Sequence, residues 1–295
     1  MLNALTVDVE EYFHATEVQN TLGVTHWDVL PSRIEHQLWN TLQLLENKNV
    51  TATFLVLGWI AERYPKLVRA IASAGHEIGC HSYAHQLVYD LSPEEFRADT
   101  IRAVNAIQDA CAVKPRIYRA PSYSITGKSL WALEVLVECG FTHDSSIFPI
   151  RHDRYGIPGS DRRPHLVKTP SGPIFEVPVA TVALAKENVL PIGGGGYLRL
   201  LPYRYFSAAI RRANELETLP ACIYFHPWEI DPDQERLPLN LISRLRTYTG
   251  LAGMQKKIER LLDEFPFSTI SAVYPYTPES TFTVEIRNGS RATSA

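Results

Sequence analysis

Two histidines, His81 and His85, stand four residues apart in Gly79-Cys80-His81-Ser82-Tyr83-Ala84-His85. On a helical turn that spacing sets both imidazoles on one face. Two neutral imidazoles a turn apart can share a borderline divalent ion such as zinc. The pair alone says little, because the chain has ten histidines and a solvated or core histidine is the commoner fate. Its weight rises because other apolar runs also end in reactive side chains. Residues 2–7 run into Asp8-Val9-Glu10-Glu11, 116–118 into Arg119-Ala120-Pro121-Ser122-Tyr123, 141–143 into Asp144-Ser145-Ser146, and 221–225 into His226-Pro227-Trp228-Glu229. Carboxylates are costly inside a protein, so a buried strand that runs into them should hold them at its carboxyl end, where barrel sites are built. Asp8 and Glu10, two apart on an extended chain, face the same way and can share a task.

Such residues need elements that bring the strand ends together. Ile34, Leu38, Leu42 and Leu45 recur at helical spacing within 33–48. Helices are also expected over 61–74, stopped by Gly75, and over 128–139, stopped by Gly140. Another opens at Ser92-Pro93, with Ser92 as N-cap and Pro93 in the first turn, and runs to about residue 112. Residues 203–216 and 254–263 complete the helices. Strands are expected over 2–7, 51–57, 77–80, 116–118, 141–143, 174–179, 221–225 and 267–271. Strands alternating with helices on this spacing make βαβ units and a parallel sheet or barrel. In a barrel the five clusters meet on one face.

The rhythm breaks over 147–172, a stretch rich in Pro, Gly, Arg and His. It is expected to run over the surface and cover part of the barrel mouth. Gly193 to Gly196 lack the Lys-Ser/Thr of a phosphate loop and suit a flexible or closely approaching segment. From residue 277 the composition turns to Ser, Thr, Arg and Asn, and 277–295 is expected to be a disordered tail. Residues 1–276 contain no internal repeat or linker and are expected to form one domain.

Hydrophobic residues make up 45% of the 295 and charged residues 21%, with a net charge of −3. Nucleic acid is thereby excluded as the main partner, since phosphate binding wants a basic surface. No apolar run reaches the length of a membrane span, and the first residues lack the basic region and long apolar run of a signal peptide. A cytoplasmic protein is the expectation. Cys80, Cys111, Cys139 and Cys222 form no Cys-x-x-Cys pair and are expected to be reduced, buried thiols. Cys80 should point away from its neighbour His81. Oligomeric state is not legible.

The order of these motifs resembles the polysaccharide deacetylase family, also called the NodB-homology family or carbohydrate esterase family four. Thr6-Val7-Asp8-Val9 is similar to its first motif, His81-Ser82-Tyr83-Ala84-His85 to its second and Arg119-Ala120-Pro121-Ser122-Tyr123 to its third. His226 after its apolar strand matches the family's late histidine. Asp144-Ser145-Ser146, the stretch 193–197, the run 225–229 and Arg244-Leu245-Arg246-Thr247-Tyr248 resemble the exosortase-system-associated members most closely. The resemblance covers residues 2–276.

It implies a distorted (β/α)7-type barrel with an irregular insertion and a C-terminal extension. It also implies a metal-dependent hydrolase that removes N-acetyl groups from hexosamine units of an exopolysaccharide or its precursor. Amide hydrolysis needs an activated water, a polarised carbonyl and an acid for the leaving amine. By resemblance Asp8 is the base, His226 the acid and Arg119 the residue that orients Asp8. His81 and His85 hold a divalent metal, zinc first, and the Tyr123 backbone N–H holds the oxyanion. The family's usual metal carboxylate directly follows the base, where this chain has Val9. Some relatives use an Asp-x-Asp spacing, which makes Glu10 the third ligand. Tyr123, Trp228 and Asp144 are the expected substrate contacts; Trp59 is expected in the core. Arg199, Arg244 and Arg246 either meet a polyanionic or lipid-phosphate-linked glycan or are solvated. Two alternatives stay open: a metal-free amide hydrolase on the same fold, and a catalytically decayed glycan-binding protein of exopolysaccharide assembly.

Overall fold

The structure, a computed structural model, describes residues 1–23, 26–185, 188–276 and 283–285. Its strands are β1 (Asn3–Val9), β2 (Thr53–Val56), β3 (Glu77–Cys80), β4 (Ile117–Tyr118), β5 (His143–Asp144), β6 (His165–Thr169), β7 (Gly172–Glu176), β8 (Thr181–Ala185), β9 (Asn188–Pro191), β10 (Cys222–Phe225), β11 (Phe267–Ser268) and β12 (Thr283–Glu285). The main sheet has the order β10-β1-β2-β3-β4-β5-β7-β6-β12, with β11 paired to the start of β1. From β10 to β7 every pairing is parallel. This is the α/β fold expected, the distorted barrel taking the form of a curled half-barrel sheet.

Alternation along β1 builds both faces of the sheet. Leu5, Val7 and Val9 enter the large apolar layer beneath the helices, whereas Ala4 joins a second cluster with Leu55, Ile117, Phe175 and Cys222. Thr6 and Asp8 share Ala4's parity and therefore its face. Irregular backbone joins the two ends of the curl. The Ala180 N–H donates to the Cys222 carbonyl at 3.3 Å and the Tyr224 N–H to the Gly193 carbonyl at 2.6 Å. Gly194 bridges to Tyr224. A Cβ on Gly194, whose φ is 123°, would fall 1.9 Å from the Tyr224 carbonyl oxygen, so only glycine lets this seam close. The glycine run is thus a close approach of backbone to backbone.

The helices are α1 (Thr16–Leu22), α2 (Ile34–Asn47), α3 (Gly58–Arg63), α4 (Pro65–Ser73), α5 (Pro93–Cys111), α6 (Trp131–Glu138), α7 (Gly195–Leu200), α8 (Tyr203–Glu215), α9 (Leu241–Tyr248), α10 (Leu251–Glu264) and α11 (Ile270–Val273). Ser92 caps α5 through a reciprocal pair with Glu95, at 3.2 and 2.8 Å. The single helix expected over 61–74 is two, because Pro65 cannot continue a helix from Tyr64 and instead opens α4. The 147–172 excursion is not wholly irregular. Its end is β6, which forms an antiparallel hairpin with β7. The expected tail lies outside the described residues except for 283–285, which form β12 against β6 and so depart from the disorder expected there. The four cysteines are free, with Cys80 and Cys222 buried and Cys111 and Cys139 half-buried. Among the described residues no helix is long and apolar enough to cross a membrane.

Candidate active site

The carboxyl ends of β1, β3, β4 and β10 open into one cleft of about 200 Å³, lined by Asp8, Glu10, His81, His85, Tyr123, His226 and Trp228 among others. Its floor is a carboxylate between two imidazoles. Glu10 Oε1 lies 2.9 Å from His81 Nε2 and 2.9 Å from His85 Nε2, with all three side chains almost fully buried. The pair reaches this position by a different route from the helical turn expected. Residues 81–87 form a loop in which Ser82 and His85 take φ of 66° and 51°. The His85 N–H donates to Ser82 Oγ at 3.1 Å and tightens that loop.

Outer partners orient the imidazoles. His81 Nδ1 donates to the Arg119 carbonyl at 2.7 Å, which leaves Nε2 as an acceptor facing a carboxylate oxygen. Two acceptors at 2.9 Å call for a cation between them or a proton. The Gln19 amide lies 2.9 Å from His85 Nδ1 and donates to the His14 carbonyl at 2.6 Å. The three ligand atoms all lie within 4.8 Å of one another. Two imidazole nitrogens and one carboxylate oxygen form a donor set that suits a divalent ion such as zinc with a position left open, so the residues present fit a metal. Burial works against the Glu10 charge, yet His85 and His226 nearby and the close contacts with the His81 and His85 rings hold its carboxyl well below the usual range. The neighbouring Glu11 is not part of this centre. It receives the Arg33 and Ile34 N–H groups, each at 3.2 Å, at the start of α2.

Beside this centre Asp8 meets Arg119. Arg119, 1% exposed, donates from Nη1 to Asp8 Oδ1 at 2.8 Å and to Thr6 Oγ1 at 2.7 Å. Its Nε reaches the Ser145 carbonyl at 3.1 Å and Nη2 the Ser145 hydroxyl at 3.0 Å. The guanidinium thus spans the curl from β1 to the end of β5 with its donors satisfied. Charged partners, Asp8 first, outweigh burial and raise its already high pKa.

His226 stands on the far wall. Its Nε2 is 3.9 Å from Asp8 Oδ2 and 3.9 Å from Glu10 Oε1. Its Nδ1 lies 3.0 Å from Glu229 Oε2, which also accepts the His226 backbone N–H at 3.1 Å. Arg199 grips the other oxygen of Glu229 at 2.9 Å and donates to the carbonyls of Arg246, Thr247 and Thr249. Arg199 is therefore a buried support for Glu229 and not a solvated residue. The Glu229 support was missed in the sequence, although a glutamate three residues after His226, across Pro227, is the spacing of a reciprocal cap.

Burial disfavours the His226 cation, but Glu10, Glu229 and Asp8 together push its pKa up to about 9. A folded-state value above the free value of about 6.5 stabilises the fold fully below pH ~6.5, and that contribution is lost as pH rises through 9. In metal-free protein Glu229→Gln should bring the His226 titration, followed by NMR, down by about one unit or more. A midpoint left near 9 would remove Glu229 from this role.

Other expected contacts divide. Trp228 stacks on His226 with ring centroids 5.2 Å apart and an interplanar angle of 23°, and both line the cleft. Tyr123 lines it too, packed on Tyr224 and Phe148. Its backbone N–H is engaged by the Ala120 carbonyl at 3.0 Å, a correction to the oxyanion role expected of that N–H. Asp144 does not reach the cleft. It is fully buried, accepts from the Ser146 hydroxyl at 2.6 Å and pairs across β5 and β7 with Glu176. Burial and the neighbouring Asp144 raise Glu176 well above the carboxylate range. Because the Ser146 hydroxyl also accepts the Ala120 N–H at 2.8 Å, Asp144 positions the loop after Arg119 and is not a substrate contact. Trp59 packs with Phe13, His14 and Trp27. Arg154 and Tyr155, from the 147–172 excursion, line the cleft mouth.

Residues 19–142 match the family model described as polysaccharide deacetylase, and 145–275 match one described as a domain of unknown function, DUF3473. His81, His85, Arg119 and Tyr123 fall in the first match, and His226 and Trp228 in the second. A peptidoglycan-N-acetylglucosamine deacetylase of Bacillus cereus is 35% identical over 94 residues, covering 32% of this chain and 34% of that protein. A chitooligosaccharide deacetylase of a Bradyrhizobium strain is 34% identical over 98 residues, covering 33% and 42%. The chain thus spans well under half the length of these curated relatives. A solved structure from Mycobacterium smegmatis assigned to the polysaccharide deacetylases superposes with a TM-score of 0.59 over 92% of this chain and 87% of that one, at 20% identity. That likeness is one of fold.

Proposed function

We propose that this chain, a member of the polysaccharide deacetylase family by its match over residues 19–142 and by its fold, is a metal-dependent hydrolase that removes N-acetyl groups from hexosamine units of a glycan. The observation that carries the reading is the position of His226 Nε2, 3.9 Å from both Asp8 and Glu10 in the cleft that holds His81 and His85. The names of the two curated relatives, a peptidoglycan-N-acetylglucosamine deacetylase and a chitooligosaccharide deacetylase, support the substrate class.

Glu10, His81 and His85 are the residues that hold the metal. A divalent ion there, zinc first, supplies Lewis acidity toward an acetyl carbonyl and toward water. Asp8 takes the proton of the attacking water, and Arg119 fixes the carboxylate so that its second oxygen faces the cleft. His226, charged at neutral pH, delivers a proton from Nε2 to the departing amine while Glu229 holds its other nitrogen. Trp228 braces that imidazole and offers a flat apolar wall to a sugar ring.

Acetate release from N-acetylglucosamine oligomers, peptidoglycan fragments and N-acetylated exopolysaccharide, with and without stripped metal, tests this reading. His226→Ala should keep the metal and lose about 10²–10⁴ in amide turnover, the range of general acid–base catalysis. An O-acetyl ester, whose leaving group depends less on protonation, should lose less. Full turnover in stringently metal-free protein, or amide turnover unchanged in His226→Ala, would defeat the mechanism.

A further inference from the structure

The arginines around the cleft are not matched alike. Arg119 pairs with Asp8 at 2.8 Å and Arg199 with Glu229 at 2.9 Å, one carboxylate to one guanidinium, both deep in the protein. Arg154 and Arg246 share a single partner. Arg154, from the excursion after β5, lies 2.6 Å from Glu17 Oε1, and Arg246, from α9, lies 3.3 Å from the same oxygen. The other oxygen of Glu17 has the Ser243 hydroxyl at 3.4 Å. Two cations from different elements thus converge on one carboxylate of α1, and all three side chains line the cleft. Their side chains remain 30% and 49% exposed, so donors stay open to an incoming group. A guanidinium recognises a carboxylate or phosphate through paired N–H donors. Deeper in the cleft Asp8 is paired with Arg119 and Glu229 with Arg199, and Glu10 sits between two imidazoles, so none of these carboxylates matches Arg154 or Arg246.

We propose that Arg154 and Arg246 form an anion subsite at the cleft mouth that receives a carboxylate or phosphate carried by the glycan, so that an acidic N-acetylated glycan binds in preference to a neutral one. This rests on the reading of the cleft as a glycan-hydrolysing site and adds the charge class of its substrate. The glycan enters with its acidic group between α9 and the excursion, and Glu17 is displaced from one guanidinium as that group arrives. Because the charges are partly exposed, the preference weakens as salt rises.

The test reads binding without turnover, by calorimetry on the full chain kept metal-free with a chelator. One arm compares a tetrasaccharide of alternating N-acetylglucosamine and glucuronate with the neutral N-acetylglucosamine tetramer. The other compares N-acetylglucosamine 6-phosphate with N-acetylglucosamine, and the arm that responds identifies the anion. The acidic ligand should bind about tenfold or more tightly than its neutral counterpart at low salt, as expected when one charge-assisted pair distinguishes them. In Arg154→Gln/Arg246→Gln the ratio should fall toward one. If the double variant does not fold, Arg246→Gln alone, at the more exposed arginine, carries the same comparison. Equal binding in both arms, a preference that survives the substitutions, or no binding at millimolar ligand overturns the subsite. Acetate release without the preference would sink the subsite alone. The preference without acetate release from any glycan would sink the hydrolase reading and leave the subsite standing.

Discussion

Glu10→Ala should lose tight metal binding and deacetylation together, and to the same extent as His81→Ala or His85→Ala. Glu10 Oε1 touches both imidazole nitrogens at 2.9 Å, so its removal takes one of three donors and the only negative one. The loss of affinity should exceed the roughly 10–100-fold that follows removal of an outer partner. Competition against a chromophoric chelator measures it. Val9→Asp should not rescue the variant, because Val9 is fully buried in the apolar layer under the helices. A carboxylate there faces away from the imidazoles. Stoichiometric metal at unchanged affinity in Glu10→Ala, alongside its loss in His81→Ala, would take Glu10 out of the site.

Arg119→Met should cost about 3–5 kcal/mol of stability, the penalty for breaking a buried pair and stranding its other charge. Methionine fills part of the space but takes from Asp8 the guanidinium at 2.8 Å, leaving only His226 at 3.9 Å, and leaves Ser145 without its donor. Asp8→Asn/Arg119→Met should lose clearly less than the sum of the two single variants, because the second change removes the charge that the first left uncompensated. Urea unfolding at pH 7 gives all three values. A loss under about 1 kcal/mol in Arg119→Met, the worth of a surface pair, would show that Arg119 is not buried against Asp8 in solution.

The parts of this site legible in the sequence are those where one rule acts alone. A buried strand that ends in a charge has few places to put it, so Asp8, Arg119 and His226 were located by strand ends. Glu10 followed from the two-residue period that it shares with Asp8. The His81–His85 pair was found by a spacing that a helical turn satisfies, but the chain satisfies it with two left-handed residues in a loop. Ligand spacing constrains where the nitrogens go and not the backbone that carries them. Asp144 ends a strand as the others do, yet it turns to Ser146 and Glu176, because the neighbouring strand supplies a carboxyl that no local pattern announces. Arg199 follows a glycine run that suited either a flexible or a closely approaching segment. Its burial depends on carbonyls nearly fifty residues away, a relation outside the reach of any short window.

The pairing of β1 with β10 also bears on how the protein comes into being on the ribosome. Ala4 and Cys222 are neighbours in the sheet, so one flank of β1 waits for a partner made more than two hundred residues later. At the usual pace of synthesis that wait lasts roughly ten to forty seconds. During it the open flank is a template for stray strands, and Asp8 has no imidazole across from it. Such distant pairings fold slowly. β2 covers only the other flank of β1, so this flank stays open until the segment bearing His226 arrives. The segment that closes this flank is also the one that brings His226 to within 3.9 Å of Asp8.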